Sequence, residues 1–346
     1  MKKESLSIAV LRISALGDAV LVVPLINQLL SSEKFHNVSW ITTQSVVDLV
    51  GPIPGCKFVV VEKIKSFKTF LFNWGKIKKH SFDILIVAQA SFSAHLFSWC
   101  TRAKRKIGFD RRRGKDLHHL FIEESIDYKD QHFVLAYMQL GLLAGAPIVA
   151  PRWDIAFGHL CKEWALSFRE SGRKFVALHP HASKLERRWN HDGYVQVVRS
   201  LLKENCGVVI LGGNHELEKK LNREIANSFG PEVKNLTGEL SLLQWASLLR
   251  EVDLLIAPDT GAVHLAHALS TKVVGLYAVA NPMLTGPFNG LQDSVNKYAE
   301  AVKKFENVEP RDFHHRVHDI RAMQLIVFDE VWDQVSSIIG NLSKND

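Results

Sequence analysis

The sequence predicts an α/β protein built from two doubly wound domains. Short apolar runs rich in β-branched residues alternate with helical stretches, which is typical of parallel sheets covered by helices on both faces. Two such series stand on either side of a segment near residues 145–172 that carries Pro147 and Pro151. The length of 346 residues and an apolar share of 47% provide a core for each of about two domains.

The first series begins with residues 7–13 (SIAVLRI), followed by a tight turn and the helical stretch AVLVVPLINQLL. Further apolar runs predict strands at 37–43, 82–89, 174–180, 207–213, 252–258 and 272–278. The last stretch, LIVFDEVWDQVSSIIGNL, predicts an amphipathic terminal helix.

We place the domain boundaries at 1–160 for the first domain, 170–325 for the second and 326–346 for the terminal helix. Ligands of open parallel sheets bind outside the carboxyl ends of the strands. The sequence therefore predicts two Rossmann-like domains facing across a cleft, where a ligand binds.

The composition restricts the class of partner and the compartment. Lys and Arg exceed Asp and Glu by 43 to 36, which favours an anionic partner such as phosphate, nucleic acid or a lipid headgroup. The four cysteines form no CxxC pair, so neither a disulfide framework nor a zinc site is expected, and a reducing cytoplasm is favoured. No run of about 18 uncharged apolar residues occurs, which argues against a membrane-spanning helix.

The turn after the first predicted strand, LRISALGD, holds the first candidate site. Asp18 follows Gly17 at the carboxyl end of that strand. It has two interpretations: an N-cap of the next helix, or a carboxylate available as a base. Pro24 favours the second, because a proline six residues after a cap predicts a helix that is kinked or begins near Val22. GxGxxG is absent here, which argues against a nicotinamide dehydrogenase.

The segment PDTGAVHLAH predicts a strand, a polar turn and a helix beginning near Ala262. The free N–H groups of such a helix start suit a diphosphate. The alternative is that Asp259 or Thr260 merely caps the helix. His264 and His267 lack the HExxH arrangement, so we do not expect a metal pair.

Two further turns follow predicted strands of the second domain. The loop HPHASKLERRW combines a hydroxyl with cations that can neutralise a leaving phosphate, and Trp189 is expected to anchor it; the alternative is a solvated basic loop. The turn GGNHE places Glu216 where it could reach ribose hydroxyls, unless it is a plain turn.

A basic cluster in the first domain is a candidate anion-binding surface. Nucleic acid, a phosphorylated or membrane-borne acceptor, and a solvated face remain open for it, although aromatic residues are sparse there. Its members are Arg102, Lys104, Arg105, Lys106, Arg111, Arg112, Arg113 and Lys115.

Together, LRISALGD, HPHASKLERRW, LGGNHE and above all PDTGAVHLAHAL resemble the ADP-heptose:lipopolysaccharide heptosyltransferases, glycosyltransferase family 9. The resemblance covers roughly residues 7 to 290, with the motifs in order. It implies a GT-B fold, in which the first domain holds the acceptor and the second holds the nucleotide sugar.

The resemblance also implies roles for individual residues. The catalytic base falls on Asp18. The nucleotide sugar is assigned to Ser183, Lys184, Arg187, Arg188, Glu216, Asp259, Thr260, Gly261, Ala262 and His264. The acceptor is assigned to Gly17, Arg111, Arg112, Arg113 and Lys115. Some members hold Lys where this chain has Arg187, so Lys184, Arg187 and Arg188 are all candidates for the phosphate contact.

The implied reaction is an inverting transfer of heptose from ADP-heptose to the Kdo of lipid A, without cofactor or metal ion. RKIGFDRRRGKDLHHLF most resembles members that add the first heptose. The expected partners are ADP-heptose, the Kdo–lipid A acceptor and the inner membrane surface, but not nucleic acid. Two alternatives stay open: transfer to another core sugar or to protein hydroxyls, and non-catalytic binding of a nucleotide sugar or nucleic acid.

Overall fold

A computed structural model describes residues 5–155, 161–306 and 313–342 of the chain. The chain divides into two compact units, residues 1–156 (unit 1) and 157–346 (unit 2). In each unit the described residues form one six-stranded sheet whose strands all run parallel. The predicted α/β class with two doubly wound sheets is therefore confirmed.

Unit 1 has the strand order β3-β2-β1-β4-β5-β6. Its strands are β1 (Leu6–Leu11), β2 (Phe35–Thr42), β3 (Cys56–Val60), β4 (Ser81–Val87), β5 (Arg102–Gly108) and β6 (Glu124–Ser125). Its helices are α1 (Leu16–Val20), α2 (Val23–Leu30), α3 (Gln44–Val50), α4 (Phe67–Ile77), α5 (Phe92–Cys100) and α6 (Phe133–Ala144).

The central strand of unit 1 positions the first candidate site. β1 lies between β2 and β4, and its Ile8–Leu11 segment has no solvent exposure. The expected helix break is confirmed: α1 ends at Val20 and α2 begins at Val23, with Pro24 in its first turn. Proline is tolerated there because the first N–H groups of a helix need no intrahelical partner.

β3, β5 and β6 were not predicted from the sequence. β5 reads RAKRKIG, so its positive charge concealed a strand. Two of its four cations pair with acids on neighbouring strands, Lys104 with Asp83 at 2.8 Å and Arg105 with Glu124 at 2.7 Å. This part of the basic cluster therefore belongs to the sheet, and we do not assign it to ligand binding.

Unit 2 repeats the topology, with the order β12-β11-β10-β7-β8-β9. Its strands are β7 (Phe175–Leu178), β8 (Gly207–Ile210), β9 (Val233–Asn235), β10 (Leu254–Pro258), β11 (Lys272–Tyr277) and β12 (Val295–Asn296). Its helices are α7 (Lys162–Leu166), α8 (His191–Lys203), α9 (Glu216–Asn227), α10 (Leu242–Glu251), α11 (Gly261–Ala268), α12 (Pro282–Thr285), α13 (Tyr298–Ala301) and α14 (Phe328–Leu342).

In both units the first strand pairs with the second on one side and the fourth on the other. Ligands of open α/β sheets bind at this point, where the strand order reverses. It falls between β1 and β4 in unit 1 and between β7 and β10 in unit 2. The motifs LRISALGD and PDTGAVHLAH follow β1 and β10, so each begins at such a point.

The last helix of the described residues packs within unit 2. α14 contacts α8 and contributes Val331 and Val335 to the core. Residues 343–346 of the predicted terminal helix, and residues 156–160 at the predicted end of the first domain, lie outside the described residues. Within the described ranges, no helix combines the length and the apolar character needed to cross a bilayer.

Candidate functional site

Asp18 is the third residue of α1, and an arginine from the end of β1 holds its carboxylate. Arg12 Nη2 donates a hydrogen bond of 2.7 Å to Asp18 Oδ2. The Arg12 side chain is only 10% exposed, whereas that of Asp18 is 48% exposed. The buried cation thus presents a carboxylate that solvent and a ligand can reach.

Arg12 is itself fixed from the other side. Its Nη1 donates to the carbonyl of Ala88 at 3.0 Å and to the hydroxyl of Tyr137 at 2.9 Å. Burial raises the pKa of Tyr137 to about 12, so its phenol stays protonated at neutral pH. These two hydrogen bonds fix the orientation of the Arg12 guanidinium, so that its Nη2 points at the Asp18 carboxylate.

The turn that carries Asp18 is braced by Gln89, which follows β4. Its Oε1 accepts from the backbone N–H groups of Ile13 and Ser14, and its Nε2 donates to the Ser14 and Ser91 hydroxyls. Neither Gln89 nor Tyr137 was predicted from the sequence. Neither forms a motif with LRISALGD, because sheet pairing and helix packing bring them to it.

The N-cap interpretation of Asp18 is wrong. Ala15 occupies the N-cap position of α1, and no side chain among the described residues caps that helix. Gly17 lies inside α1 rather than in the left-handed region. Asp18 therefore has no capping role, and its acidic position in the first turn suits the positive end of the helix dipole.

The structure divides the rest of the basic cluster into exposed and internal charges. Arg111, Arg112 and Lys115 are exposed. Arg113 is 2% exposed, pairs with Asp110 and donates to the carbonyl of Asp127. The expectation that Arg113 contacts an acceptor is therefore corrected: its guanidinium holds the loop together, which leaves the three exposed cations for an anion.

A pair of buried histidines anchors this loop. His118 Nε2 accepts from the backbone N–H of Phe109 at 3.1 Å, so the proton of His118 lies on Nδ1, 3.0 Å from His95 Nε2. Burial lowers the pKa of His118 to about 4 and also lowers that of His95. Both rings are therefore neutral near pH 7.

In unit 2 the corresponding centre is the ion pair between Arg187 and Asp259. Arg187 Nη1 lies 3.2 Å from Asp259 Oδ2, with the side chains 16% and 9% exposed. Trp189 anchors the Arg187 loop, as expected: it is buried and donates to the carbonyl of Ile326 at 2.9 Å. Arg188 Nε donates to the Ala182 carbonyl, whereas Ser183 and Lys184 are exposed on the same loop.

The start of α11 carries unsatisfied polar groups beside this pair. Thr260 is the N-cap residue, but no side chain among the described residues caps the helix. The buried Thr260 Oγ1, Tyr277 hydroxyl and Arg187 Nε have no hydrogen-bond partner within the described ranges. Burial, and then the charge of Asp259, raise the pKa of Tyr277 well above its usual value. Together with the N–H groups at Gly261 and Ala262, these groups suit the oxygens of a diphosphate.

The capping interpretation of Asp259 and Thr260 is therefore wrong. Tyr277 was missed because a tyrosine at the end of the apolar run KVVGLY reads as core. The position of the Tyr277 ring depends on Gly275, because a Cβ atom at residue 275 would clash with that ring.

Glu216 and its neighbour Glu218 differ in burial. The Glu216 side chain is 89% exposed and pairs with Lys219 at 3.2 Å. Glu218 is 7% exposed and lies 3.4 Å from His181 Nδ1, close to the ends of β7 and β8. Gly212 gives it room, since a Cβ there would be 2.6 Å from Glu218 Oε1. This placement favours Glu218, which the sequence analysis missed, for a ribose contact.

Buried histidines accompany these groups in unit 2. Burial lowers the pKa of His179 and His181, and that of His267 to about 4. His264 is buried in α11. Within the described ranges, no cluster of three or more His, Cys, Asp or Glu side chains could hold a metal ion.

Two six-stranded parallel sheets with flanking helices match the GT-B fold that the sequence motifs imply. The chain belongs to glycosyltransferase family 9 (heptosyltransferase), which matches residues 73–313. It is therefore a glycosyltransferase.

Known relatives extend the likeness to most of the chain. The lipopolysaccharide core heptosyltransferase OpsX of Haemophilus influenzae is 29% identical over 299 residues, 86% of each chain. A glycosyltransferase family 9 structure from Veillonella parvula has a TM-score of 0.80 at 16% identity and covers 99% of both chains. The E. coli heptosyltransferase WaaC with ADP has a TM-score of 0.74 at 14% identity, over 96% of this chain and 99% of that one. The likeness to solved structures confirms the predicted GT-B fold.

Proposed function

We propose that this protein transfers heptose from ADP-L-glycero-D-manno-heptose to the Kdo of the lipopolysaccharide inner core. The proposal rests on family membership and on one observation above all: a half-exposed carboxylate, Asp18, held by the buried Arg12 at the end of β1. The names of relatives such as OpsX support the heptose donor and the lipopolysaccharide core as acceptor.

Unit 2 is proposed to bind the ADP part of the donor. Arg187 and the N–H groups at the start of α11 would face the diphosphate, with the Thr260 and Tyr277 hydroxyls as further donors. Glu218, a carboxylate whose Oε1 lies 4.0 Å from His179 Nδ1 and has no hydrogen-bond partner in the described part of the chain, would accept from ribose hydroxyls. Ser183, Lys184 and Arg188 remain candidates on the loop edge, and Arg187 has the placement that best suits the phosphate.

Unit 1 is proposed to bind the acceptor and to supply the base. Arg111, Arg112 and Lys115 are exposed cations that suit the carboxylate of Kdo and nearby phosphates. Asp18 would take the proton from the acceptor hydroxyl as the oxygen attacks the anomeric carbon. The bond from that carbon to the diphosphate oxygen breaks, its electron pair leaves with ADP, and the anomeric configuration inverts in this single displacement.

The departing ADP gains negative charge on its terminal phosphate. Arg187 and the positive end of α11 are positioned beside Asp259 to stabilise that charge. We therefore propose a transfer that needs neither a divalent metal ion nor a cofactor. We also propose that the protein acts in the cytoplasm at the inner face of the membrane, where a lipid-borne acceptor is found.

A direct assay tests this function. The purified protein is incubated with ADP-heptose and either Kdo–lipid A, a core that already carries heptose, or a protein acceptor, with and without a chelator. We expect one heptose to be added to Kdo–lipid A, with an inverted anomeric configuration by NMR and a rate within twofold after chelation. Transfer to the protein or to the extended core alone would contradict the acceptor assignment.

A further inference from the structure

The outer face of α4 and α5 carries an unusual concentration of exposed aromatic side chains. Five aromatic residues stand out among the large apolar residues that the structure shows exposed, with exposures of 43% to 73%, and all five lie on these two helices: Phe67, Phe72, Trp74, Phe92 and Trp99. Exposed apolar groups are ordinary when scattered, but a contiguous patch marks an interaction surface.

The two helices form one surface because they share a core. α4 and α5 contact each other, and Phe70 and Ile77 of α4 pack in the same cluster as Ala94 and Phe97 of α5. Their outer sides repeat one spacing: Phe67, Leu71 and Trp74 on α4, and Phe92, Leu96 and Trp99 on α5. Residues at i, i+4 and i+7 lie on one face of a helix, so each helix directs an apolar stripe outwards.

The orientation of α4 is fixed by a buried amide. Asn73 has no solvent exposure; its Oδ1 accepts from the backbone N–H of Glu62 at 2.9 Å and its Nδ2 donates to the Glu62 carbonyl at 2.8 Å. Rotating the helix to bury Phe67 and Trp74 would break both bonds. The outward apolar stripe is therefore part of the folded unit.

The charge around the stripe identifies its partner. Residues 62–80 contain six lysines and a single glutamate, Glu62. The Lys76 ammonium lies 4.3 Å from the centre of the Phe72 ring and that of Lys78 lies 5.8 Å from the Trp74 ring. Lysines that extend over interfacial aromatic rings match the boundary of an anionic bilayer, where rings enter the headgroup region and ammonium groups stay at phosphate level. A symmetric contact with a second copy would oppose two such clusters of like charge.

We propose that the outer face of α4 and α5 is a membrane-docking surface that binds an anionic lipid bilayer. This surface is separate from the exposed cations Arg111, Arg112 and Lys115, which remain assigned to the acceptor. The inference rests on the proposed function only in that a lipid-borne acceptor gives a reason for docking. The rings supply apolar area, and the lysines supply an attraction to anionic headgroups that weakens as salt is added.

Cosedimentation with vesicles of phosphatidylethanolamine and phosphatidylglycerol tests the proposal, with phosphatidylcholine vesicles as the neutral comparison. We expect the full chain to prefer the anionic vesicles, with the preference reduced in high salt. Phe67→Ser/Phe72→Ser/Trp74→Ser should lower the partition coefficient at least tenfold. The matched control, Leu217→Ser/Met283→Ser, removes exposed apolar side chains of unit 2 and should stay within twofold.

A second variant guards against misfolding, which circular dichroism would reveal. Phe92→Ser/Trp99→Ser changes only α5 and should lower binding by at least threefold. Lys68→Glu/Lys78→Glu/Lys79→Glu should abolish the preference for anionic vesicles. Wild-type binding by folded aromatic variants, no wild-type binding to anionic vesicles, or self-association through this face in place of vesicle binding would each overturn the proposal.

Activity on a water-soluble, deacylated acceptor separates this inference from the proposed function. The aromatic variants should transfer heptose to it at the wild-type rate, because α4 and α5 are not part of the proposed catalytic or binding residues. If the wild-type chain binds vesicles but transfers nothing, the function fails and the surface stands. If it transfers heptose but ignores vesicles, the surface fails and the function stands.

Discussion

Both units contain an ion pair between an arginine and an aspartate, but the more buried partner is the arginine in unit 1 and the aspartate in unit 2. In each, an aspartate after a central strand pairs with an arginine: Arg12 with Asp18 in unit 1, and Arg187 with Asp259 in unit 2. In unit 1 the arginine is buried and the aspartate is 48% exposed, whereas in unit 2 the aspartate is the more buried partner, at 9%.

This difference shows how one kind of ion pair can serve two kinds of chemistry. A buried arginine that is hydrogen-bonded on its far side holds a carboxylate out toward a ligand, which suits a base. A buried aspartate beside a helix start holds a guanidinium in place, which suits a site for phosphate. Each of the following substitutions changes one unit and leaves the other unit unchanged as the reference.

Apart from the loss of the proposed base itself, the largest of these effects is expected for the cation of unit 2. Arg187→Ala should raise the Kd for ADP by about 10–100-fold, because a charge-assisted hydrogen bond contributes roughly 1.5–3 kcal/mol. Isothermal titration calorimetry measures it. Lys184→Ala, which removes an exposed cation from the same loop, should change the Kd less than threefold. Equal losses in the two variants would show that only general positive charge matters.

A smaller effect is expected on the stability of unit 1 in acid. In the unfolded chain the pKa of His118 is about 6.5, the ordinary value for histidine, whereas burial lowers it to about 4 in the folded chain. The neutral ring therefore contributes stability that is complete above pH 6.5 and is lost as the pH falls toward 4. We expect the free energy of unfolding to fall by about 1–3 kcal/mol over that window, as measured by urea titration.

The exposed neighbour His119 provides the matched control for this pH dependence. His118→Gln should flatten the slope of stability against pH, whereas His119→Gln should leave it as in the wild type. A slope that is unchanged in His118→Gln would contradict the assignment of a buried neutral ring.

The smallest effect is expected for Tyr137, which hydrogen-bonds the arginine that holds Asp18. Tyr137→Phe removes the hydroxyl that accepts from Arg12, which at roughly 0.5–1.5 kcal/mol should lower kcat about 3–10-fold. ADP affinity should not change, because the substitution lies in unit 1. Tyr128→Phe, which removes a hydroxyl that donates to the exposed Asp130 and keeps the ring, should leave kcat within twofold. A loss of ADP affinity in Tyr137→Phe would remove the distinction between the units.

Much of the fold could be predicted from the sequence because most buried parallel strands read as apolar runs. β5 was not predicted because it carries four cations. Two of them, Lys104 and Arg105, pair with Asp83 and Glu124 on neighbouring strands, and these pairs exist only after folding. β9 and β12 were missed as well; they are short edge strands with three and two residues.

The residues of the candidate site also fall into those that the sequence predicted and those that it did not. Asp18, Asp259 and Arg187 were found because each belongs to a short motif that follows a strand, and a linear sequence displays such motifs. Tyr137 comes from a helix more than a hundred residues away from Arg12, and Glu218 follows an exposed glutamate of the same type. Burial is what distinguishes Glu218 from Glu216, and burial depends on tertiary packing.

The most direct test of the account is a paired measurement on Asp18→Asn: the single-turnover rate of heptose transfer and the Kd for ADP. Asparagine keeps the shape of the side chain but cannot take a proton from the acceptor. We predict that the rate falls about 10²–10⁴-fold, as for loss of a general base, while the Kd stays within twofold of the wild type. A rate within threefold of the wild type, or a loss of ADP binding as large as the loss of rate, would contradict the assignment of Asp18 as the base.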